Sequence, residues 1–298
     1  MRRLLWRSAF LALAGVSPWS TGSVCAQTQP LTNFLVFPRT EAASDAEAPE
    51  SGDEGEEADE IETDRDSFTP ATTVAGKGRL ILESAYTFTD NREVAETHSF
   101  PEFLARYGVG ERIELRLGWN YEVGGAPSDT SNSDGDDDFE GGGLEREHRI
   151  AYGIKAELSK QDAWVPQSIL MVQGFTPTTG EAAASQVVTT YACGWTWAER
   201  FKWDSGLRYG TASELGDHFG VWAPSTVLKV SLTEKWNVHA EYFGLFRDGS
   251  RHDTVKQYFS PGTHYLLTPN LEVGVRVGWG LNHDAANFFA NTGVGWRW

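Results

Sequence analysis

The stretch LEVGVRVGWGL, from Leu271 to Leu281, alternates apolar side chains with glycine or charged residues. A second stretch, IELRLGWNYEV from Ile113 to Val123, alternates in the same way, and each carries a Trp on its apolar face. A period of two residues predicts a β-strand with one apolar and one polar face. Soluble strands usually have ~5–6 residues, whereas a tilted strand that crosses a bilayer needs ~9–11. Both stretches therefore predict strands of an outer-membrane β-barrel, with lipid outside and water inside.

The N-terminus has the composition of an export signal. Three arginines within the first seven residues precede an apolar run, and Val24-Cys25-Ala26 precedes Gln27. This pattern predicts a signal peptide over residues 1–26, and Val24 disfavours a lipid anchor on Cys25 because a small residue is expected there. No later stretch of ~18 apolar residues predicts a membrane helix. A closed barrel then remains as the way to span a bilayer.

Residues 41–66 contain thirteen Asp or Glu against the single Arg65. Such a composition cannot bury a core, so we predict a disordered acidic periplasmic segment over residues 27–75. A solvated spacer is the favoured interpretation, and binding to a partner is the alternative. The formal net charge of −17 excludes nucleic acid as a partner.

From residue 76 to 298 the chain divides into segments of strand character separated by turn residues. Twelve are predicted, near residues 78–89, 97–107, 112–124, 146–159, 165–176, 186–198, 200–211, 218–232, 235–247, 254–267, 270–282 and 286–298. The even number fits an all-β, transmembrane, antiparallel up-and-down barrel. Ten strands are the alternative, because the segments 97–107 and 254–267 each contain a proline.

The predicted connections alternate between short and long, as in bacterial barrels with short periplasmic turns. A soluble β-sandwich is the competing fold, but its strands would be shorter. The chain ends in Trp296-Arg297-Trp298, and terminal strands of this kind resemble those that the barrel-insertion machinery recognises. The residues predicted to lie at the membrane interface are Trp119, Trp236, Trp279 and Trp298.

The alternation also predicts which side chains face the lumen. The charged and polar ones are Glu114, Arg116, Asn120, Glu122, Arg149, Lys155, Glu157, Arg208, Glu241, Glu272 and Arg276. Both signs are present, which favours cross-strand pairs that line or partly close the pore. Phe243, Leu245 and Phe289 are the apolar exceptions. The lumen therefore favours unselective passage of small polar solutes, with an apolar contact patch as the alternative.

The sequence gives little support for a metal site, a cofactor site or a catalytic site. The acidic loop 129–140 lacks the end ligands of a calcium loop, so no metal and no cofactor are predicted. Weak divalent-ion binding on this loop is the alternative. A barrel enzyme is a third function class, but the histidines are scattered and none has a serine in a recognisable triad setting.

Three stretches carry a family resemblance: SPGTHYLLTPNLEVGVRVGWGLN from Ser260 to Asn282, GFTPTTG from Gly174 to Gly180, and the closing TGVGWRW. They resemble the outer-membrane transporter family named for the MetA pathway of phenol degradation, and the likeness covers about residues 68–298. The resemblance implies a porin-like channel in the outer membrane of a Gram-negative-type bacterium, in contact with lipids and passing small solutes. It implies aromatic or other apolar compounds as cargo. A non-conducting structural or surface-interaction barrel is the alternative.

Overall fold

The computed structural model describes residues 60–126, 128, 130, 145–179, 185–214, 217–248 and 254–298. The predicted signal peptide lies outside the described residues, as do the predicted acidic segment up to residue 59 and most of the acidic loop 129–140. Within the described residues, no helix is long and apolar enough to cross a membrane.

The described residues form twelve strands. They are β1 (Leu80–Asp90), β2 (Thr97–Gly110), β3 (Ile113–Gly124), β4 (Glu145–Ser159), β5 (Gln167–Thr179), β6 (Gln186–Trp197), β7 (Phe201–Glu214), β8 (Asp217–Ser231), β9 (Trp236–Asp248), β10 (Val255–Thr268), β11 (Leu271–Gly280) and β12 (Phe288–Arg297). Each strand pairs antiparallel with its neighbours in the chain, and β12 pairs with β1 to close the barrel. The predicted twelve-stranded barrel is confirmed.

The proline-bearing segments are true strands, which removes the ten-strand alternative. Pro224 in β8 pairs with β7, and the β8–β9 ladder skips it. Pro261 in β10 pairs with β9, and the β10–β11 ladder skips it. The β2–β3 register shifts around Pro101. Because proline has no N–H to donate, Pro224 and Pro261 lie where one ladder is interrupted, and Pro101 lies where both ladders are interrupted.

Connections of different length lie at opposite ends of the barrel. One end has the connections 111–112, 160–166, 198–200, 232–235 and 269–270. The other has 91–96, 125–144, 180–185, 215–216, 249–254 and 281–287. The connection predicted over 212–217 is shorter, because β7 and β8 extend to residues 214 and 217. The end with the shorter connections faces the periplasm in bacterial barrels.

The outer face is a belt of apolar side chains. Its members include Leu117 on β3 and Ile154 on β4, both more than half exposed. Trp236 and Trp298 lie at the periplasmic end and Trp119 and Trp279 nearer the external end, and each is more than a third exposed. Their anchoring role at the interface stays a prediction. An apolar belt around a closed barrel identifies an outer-membrane protein.

Candidate functional site in the barrel lumen

The eleven side chains predicted to face the lumen all lie on the inward face. Ten belong to buried residues, and the side chain of Glu157 is 6% exposed. Lys155 and Glu114 have no exposed surface at all. Charged residues around a water-filled pore would be accessible, so another part of the chain must cover them.

Residues 61–75, here called the lumen segment, fill the space inside the barrel. Asp64, Thr69, Ala71 and Thr72 are completely buried against the wall. For the described part of residues 27–75, the prediction of disorder is therefore wrong. The segment cannot bury a core of its own, but the polar lumen supplies the partners that it lacks.

Both ends of the lumen segment lie at the periplasmic end of the barrel. The N–H of Ile61 donates to the carbonyl of Pro269, in the β10–β11 connection, at 3.0 Å. After the segment, Lys77 forms a bridge with Gly108 near the end of β2. Between these two points the chain extends toward the external end as far as Phe68. The ring of Phe68 stacks on the half of β9 that is nearer the external end. The segment is therefore a hairpin inserted from the periplasmic side.

Contacts between its two limbs hold this hairpin together. The hydroxyl of Thr73 donates to the carboxylate of Glu62 at 2.8 Å. The N–H of Ala71 donates to the carboxylate of Asp64 at 2.9 Å. These bonds fix the limbs side by side, with Phe68 at the turn.

Asp64 is the centre of an ionic cluster on the β2–β4 wall. Lys155 Nζ donates to both of its carboxylate oxygens, at 3.0 and 3.1 Å. Arg116 Nη1 donates to Asp64 Oδ2 and also to Glu114. Arg106 Nε lies 3.7 Å from Asp64 Oδ2 and donates to Glu114 at 2.9 Å. Three cations therefore converge on one carboxylate of the lumen segment.

This setting keeps Asp64 ionised. Burial raises the pKa of its carboxyl group, but the three neighbouring cations outweigh burial and hold that pKa well below its usual range. Removing the carboxylate would leave the three cations buried together. Loss of one partner of a buried ion pair typically costs ~3–5 kcal/mol.

The other two acidic side chains of the lumen segment bind the opposite wall. Lys202 Nζ on β7 donates to Glu62. Lys229 Nζ on β8 donates to Asp66 at 3.1 Å and lies 3.4 Å from Glu62. The lumen segment thus bridges the lumen from β2–β4 to β7–β8.

The turn of the lumen segment is held by Glu241 on β9. Its carboxylate accepts hydrogen bonds from the N–H of Phe68 at 2.9 Å and the N–H of Thr69 at 2.7 Å. The hydroxyl of Thr69 donates to it at 2.8 Å. Arg276 Nη1 lies 3.4 Å from the same carboxylate. Glu241 is therefore an anchor for the lumen segment as well as a lumen-facing residue.

Little space remains beside the lumen segment. A cavity of about 20 Å³ separates it from the β10–β12 wall, which is room for about one water molecule. Larger cavities lie at the two ends, of about 360 Å³ at the external end and about 230 Å³ at the periplasmic end. The lumen segment lies between these two cavities, and Thr130 of the 125–144 connection accepts a hydrogen bond from Arg276 inside the barrel.

A family model described as "Putative MetA-pathway of phenol degradation" matches residues 63–298. The chain belongs to this family. The match begins within the lumen segment, so the family model includes residues 63–75 together with the barrel.

The fold is similar to that of a solved outer-membrane channel from Pseudomonas putida F1. The TM-score is 0.53 at 12% identity, over 80% of this chain and 100% of that chain. A weaker similarity, with a TM-score of 0.47 at 9% identity, links 73% of this chain to 98% of the NanC porin. Among proteins of curated function, none matches the chain in sequence. At this identity the first likeness supports the barrel fold alone.

Sequence reasoning missed several lumen residues of this family member. They are Glu83, Glu102, Arg106, Lys229, Tyr258 and His264. Most lie on strands where proline or a bulge obscures the alternation. Across the described parts of the chain, no group of three or more His, Cys, Asp or Glu side chains is placed to hold a metal ion.

A close backbone contact fixes the point where the lumen segment leaves the barrel. Gly76 and Gly78 have φ angles of 80° and 77°, in the left-handed region that glycine tolerates. A Cβ atom added at Gly108 would lie 1.7 Å from the carbonyl oxygen of Gly76. Only glycine at position 108 lets the two backbones approach this closely.

We expect Gly108→Ala to destabilise the folded protein by ~1–3 kcal/mol, the usual cost of overpacking. The methyl group must push the chain at Gly76 away from β2. The temperature at which the folded band is lost in heat-modifiable gel migration would measure this. Gly110→Ala is the matched control, because a Cβ there meets nothing within 4 Å. Equal transition temperatures for the two variants would contradict the prediction.

Proposed function

We propose that the protein is an outer-membrane channel for passive passage of small solutes, and that the lumen segment closes it. The observation that supports the proposal is that the barrel wall and the lumen segment are separate parts of the structure. The twelve strands close on one another without the lumen segment. The segment contributes no strand and binds the wall through side chains and isolated backbone bonds.

The chemistry of the contacts supports a reversible closure. Glu62, Asp64 and Asp66 meet wall cations in ion pairs. When the lumen segment leaves, water enters the pore and hydrates both partners of each pair. Hydration offsets the lost attraction, because the desolvation cost of a buried ion pair is of the same order as its Coulomb gain.

A barrel that never conducts is the second candidate, and the nearly complete burial of the lumen charges favours it. An enzyme is the third. Among the residues whose burial is described, the buried histidines are His239 and His264. Their ring nitrogens lie 3.0 Å apart, and His264 is also 3.5 Å from Asp66. This arrangement supplies no nucleophile, and it supports a structural role in holding the lumen segment.

A disulfide between the lumen segment and the wall would test the closure. A Cβ atom added at Gly295 on β12 would lie 3.6 Å from the Cβ of Thr63. Disulfides have Cβ–Cβ distances of ~3.5–4.5 Å. Thr63→Cys combined with Gly295→Cys therefore suits a cross-link, in a Cys193→Ser background that removes the free thiol of the described residues.

We expect the oxidised double variant to stay closed in planar bilayers and to show single-channel openings after reduction. The open probability should rise at least about tenfold on reduction, because the disulfide holds the closed state and its reduction lets the closed and open states equilibrate. Each single cysteine variant is the control and should not respond to reductant. Openings of equal frequency in both redox states would show that the lumen segment is not the gate. Absence of openings in every protein, wild type included, would favour the non-conducting barrel.

Small polar solutes are the cargo that the charged wall supports best. The name of the family refers to phenol degradation, which supports aromatic compounds as a second class of cargo.

We also propose that the barrel-insertion machinery recognises the terminal strand β12. The C-terminal Trp298 is half exposed on the outer side of the barrel.

A further inference from the structure

The outer part of the lumen contains an apolar cluster in which one member belongs to the lumen segment. The cluster consists of Phe68, Phe219, Val221, Ala223, Phe243, Leu245, Tyr258, Ala285 and Phe289. We propose that this cluster is a binding site for a neutral aromatic molecule with a hydrogen-bond donor, and that Phe68 occupies the site until such a molecule displaces it. The inference rests on the proposed channel function and specifies what opens the channel.

Phe68 is held in the manner of a stacked aromatic ligand. Its ring is parallel to that of Phe243, with centroids 4.4 Å apart and an interplanar angle of 6°. Phe243 in turn stacks on Tyr258 at 4.9 Å, and Phe289 meets Tyr258 edge-on at 5.9 Å. Offset stacking and edge-to-face contact are the arrangements that aromatic rings prefer. The wall thus presents a preformed aromatic surface, to which Phe68 supplies the last ring.

One cation favours an aromatic occupant over an aliphatic one, and a second cation contacts a ring of the wall. The guanidinium carbon of Arg208 lies 5.6 Å from the ring centroid of Phe68. That of Arg276 lies 5.3 Å from the ring centroid of Phe289. At these distances the negative face of an aromatic ring is attracted to the cation. Another aromatic ring in the place of Phe68 would keep the contact with Arg208.

Glu241 defines the polar part of the site. Its buried carboxylate accepts hydrogen bonds from Phe68 and Thr69, and these bonds are lost when the turn of the lumen segment leaves. Arg276 Nη1 stays 3.4 Å from this carboxylate, so a donor on the ligand competes with water for the positions that Phe68 and Thr69 leave. A ring that carries a hydroxyl group replaces both the stacking of Phe68 and the hydroxyl donation of Thr69. An aromatic carboxylate would instead bring a second negative charge next to Glu241.

Among the described residues, a cavity at the external end adjoins the site. The external cavity of about 360 Å³ is lined by Tyr258 and Ala285, which also belong to the apolar cluster. This volume exceeds the ~150 Å³ that holds a benzene molecule in an engineered protein cavity. A molecule that enters the cavity therefore meets the ring of Tyr258 before it meets the lumen segment.

Mutual exclusion couples binding to opening. A ligand that stacks on Phe243 can bind only when Phe68 is absent. Its apparent affinity is therefore the intrinsic affinity multiplied by the fraction of time for which the site is vacant. For the same reason the bound ligand stabilises the released lumen segment.

The test is calorimetric titration of the full chain in detergent with benzyl alcohol, a neutral ring with a hydroxyl donor. We expect Phe68→Ala to bind it at least about tenfold more tightly than the wild type, because the internal competitor is gone. Phe243→Ala and the milder Phe243→Leu should lose this binding. Phe246→Ala on the same strand, outside the cluster, is the matched control and should bind like the wild type.

Three further probes separate the features of the ligand. Cyclohexanol lacks the aromatic ring, toluene lacks the donor, and benzoate carries a negative charge; each should bind Phe68→Ala more weakly than benzyl alcohol does. Equal affinity of the wild type and Phe68→Ala would overturn the proposal, as would equal binding of benzyl alcohol and cyclohexanol. Folding of every variant is checked by heat-modifiable migration. Because calorimetry needs no current, binding without conductance would refute the channel function and leave the binding site standing.

Discussion

Neutralising the three acidic side chains of the lumen segment is expected to open the channel and to shift its selectivity toward anions. The variant is Glu62→Gln, Asp64→Asn and Asp66→Asn together. It removes the ion pairs of the segment with Lys155, Lys202 and Lys229 and with the two arginines of the Asp64 cluster. With each broken pair worth ~3–5 kcal/mol when one partner stays buried, release of the segment into water becomes the favoured state.

The expected measurements are a rise in open probability of at least about tenfold in planar bilayers and a reversal potential displaced toward that of the anion in a salt gradient. The sign follows from charge, since the wall cations lose their negative partners and attract anions into the pore. The control variant is Glu111→Gln, Asp162→Asn and Glu234→Gln, which removes three exposed charges from the periplasmic turns. The prediction would be wrong if both triple variants matched the wild type.

Deleting residues 296–298 is expected to lower the amount of folded barrel in the outer membrane at least about tenfold, because an open sheet edge is not tolerated in lipid. Trp296 pairs with Leu82 on β1 and with Leu271 on β11. Trp298 exchanges two backbone hydrogen bonds with Leu80, at 2.9 and 3.3 Å. The deletion therefore removes the bonds that close the periplasmic end of the β1–β12 seam.

Membrane fractionation with heat-modifiable migration measures this effect. Trp298→Ala tests the contribution of the insertion machinery, because the backbone bonds with Leu80 and the pairs of Trp296 remain. Trp164→Ala is the matched control, since Trp164 is 92% exposed on the 160–166 connection. Normal levels of Trp298→Ala would show that the Trp298 side chain is not an insertion signal, and normal levels of the deletion would contradict the role of residues 296–298 in closure.

The strands and the direction of their side chains could be predicted because both follow from local alternation. β3 and β11 keep strict alternation over their whole lengths, and their lumen-facing residues lie on the predicted face. Tyr258 was missed because Pro261, three residues later, weakens the strand pattern of β10. Phe243 and Phe289 lie on strands without this interruption, so two of the three wall rings that stack or meet edge-on were found.

The lumen segment could not be predicted, because its stability comes from residues far away in the sequence. Asp64 is bound by Lys155, which is 91 positions away, and Glu62 by Lys202, which is 140 positions away. In isolation, an acidic stretch poor in apolar residues has the composition of a disordered chain. It becomes ordered only where a closed barrel presents a concentration of buried cations, and this arrangement exists only in three dimensions.

The inserted hairpin enters and leaves through the same opening, which determines how the pore can be assembled and reclosed. No chain end has to be threaded through the barrel, so the twelve strands can close first and receive the hairpin afterwards. Residues 76–79 tether it to the first strand. A hairpin on so short a tether stays at an effective concentration of about millimolar next to the pore. Reclosure is therefore an intramolecular step, and its rate is independent of how many copies of the protein the membrane contains.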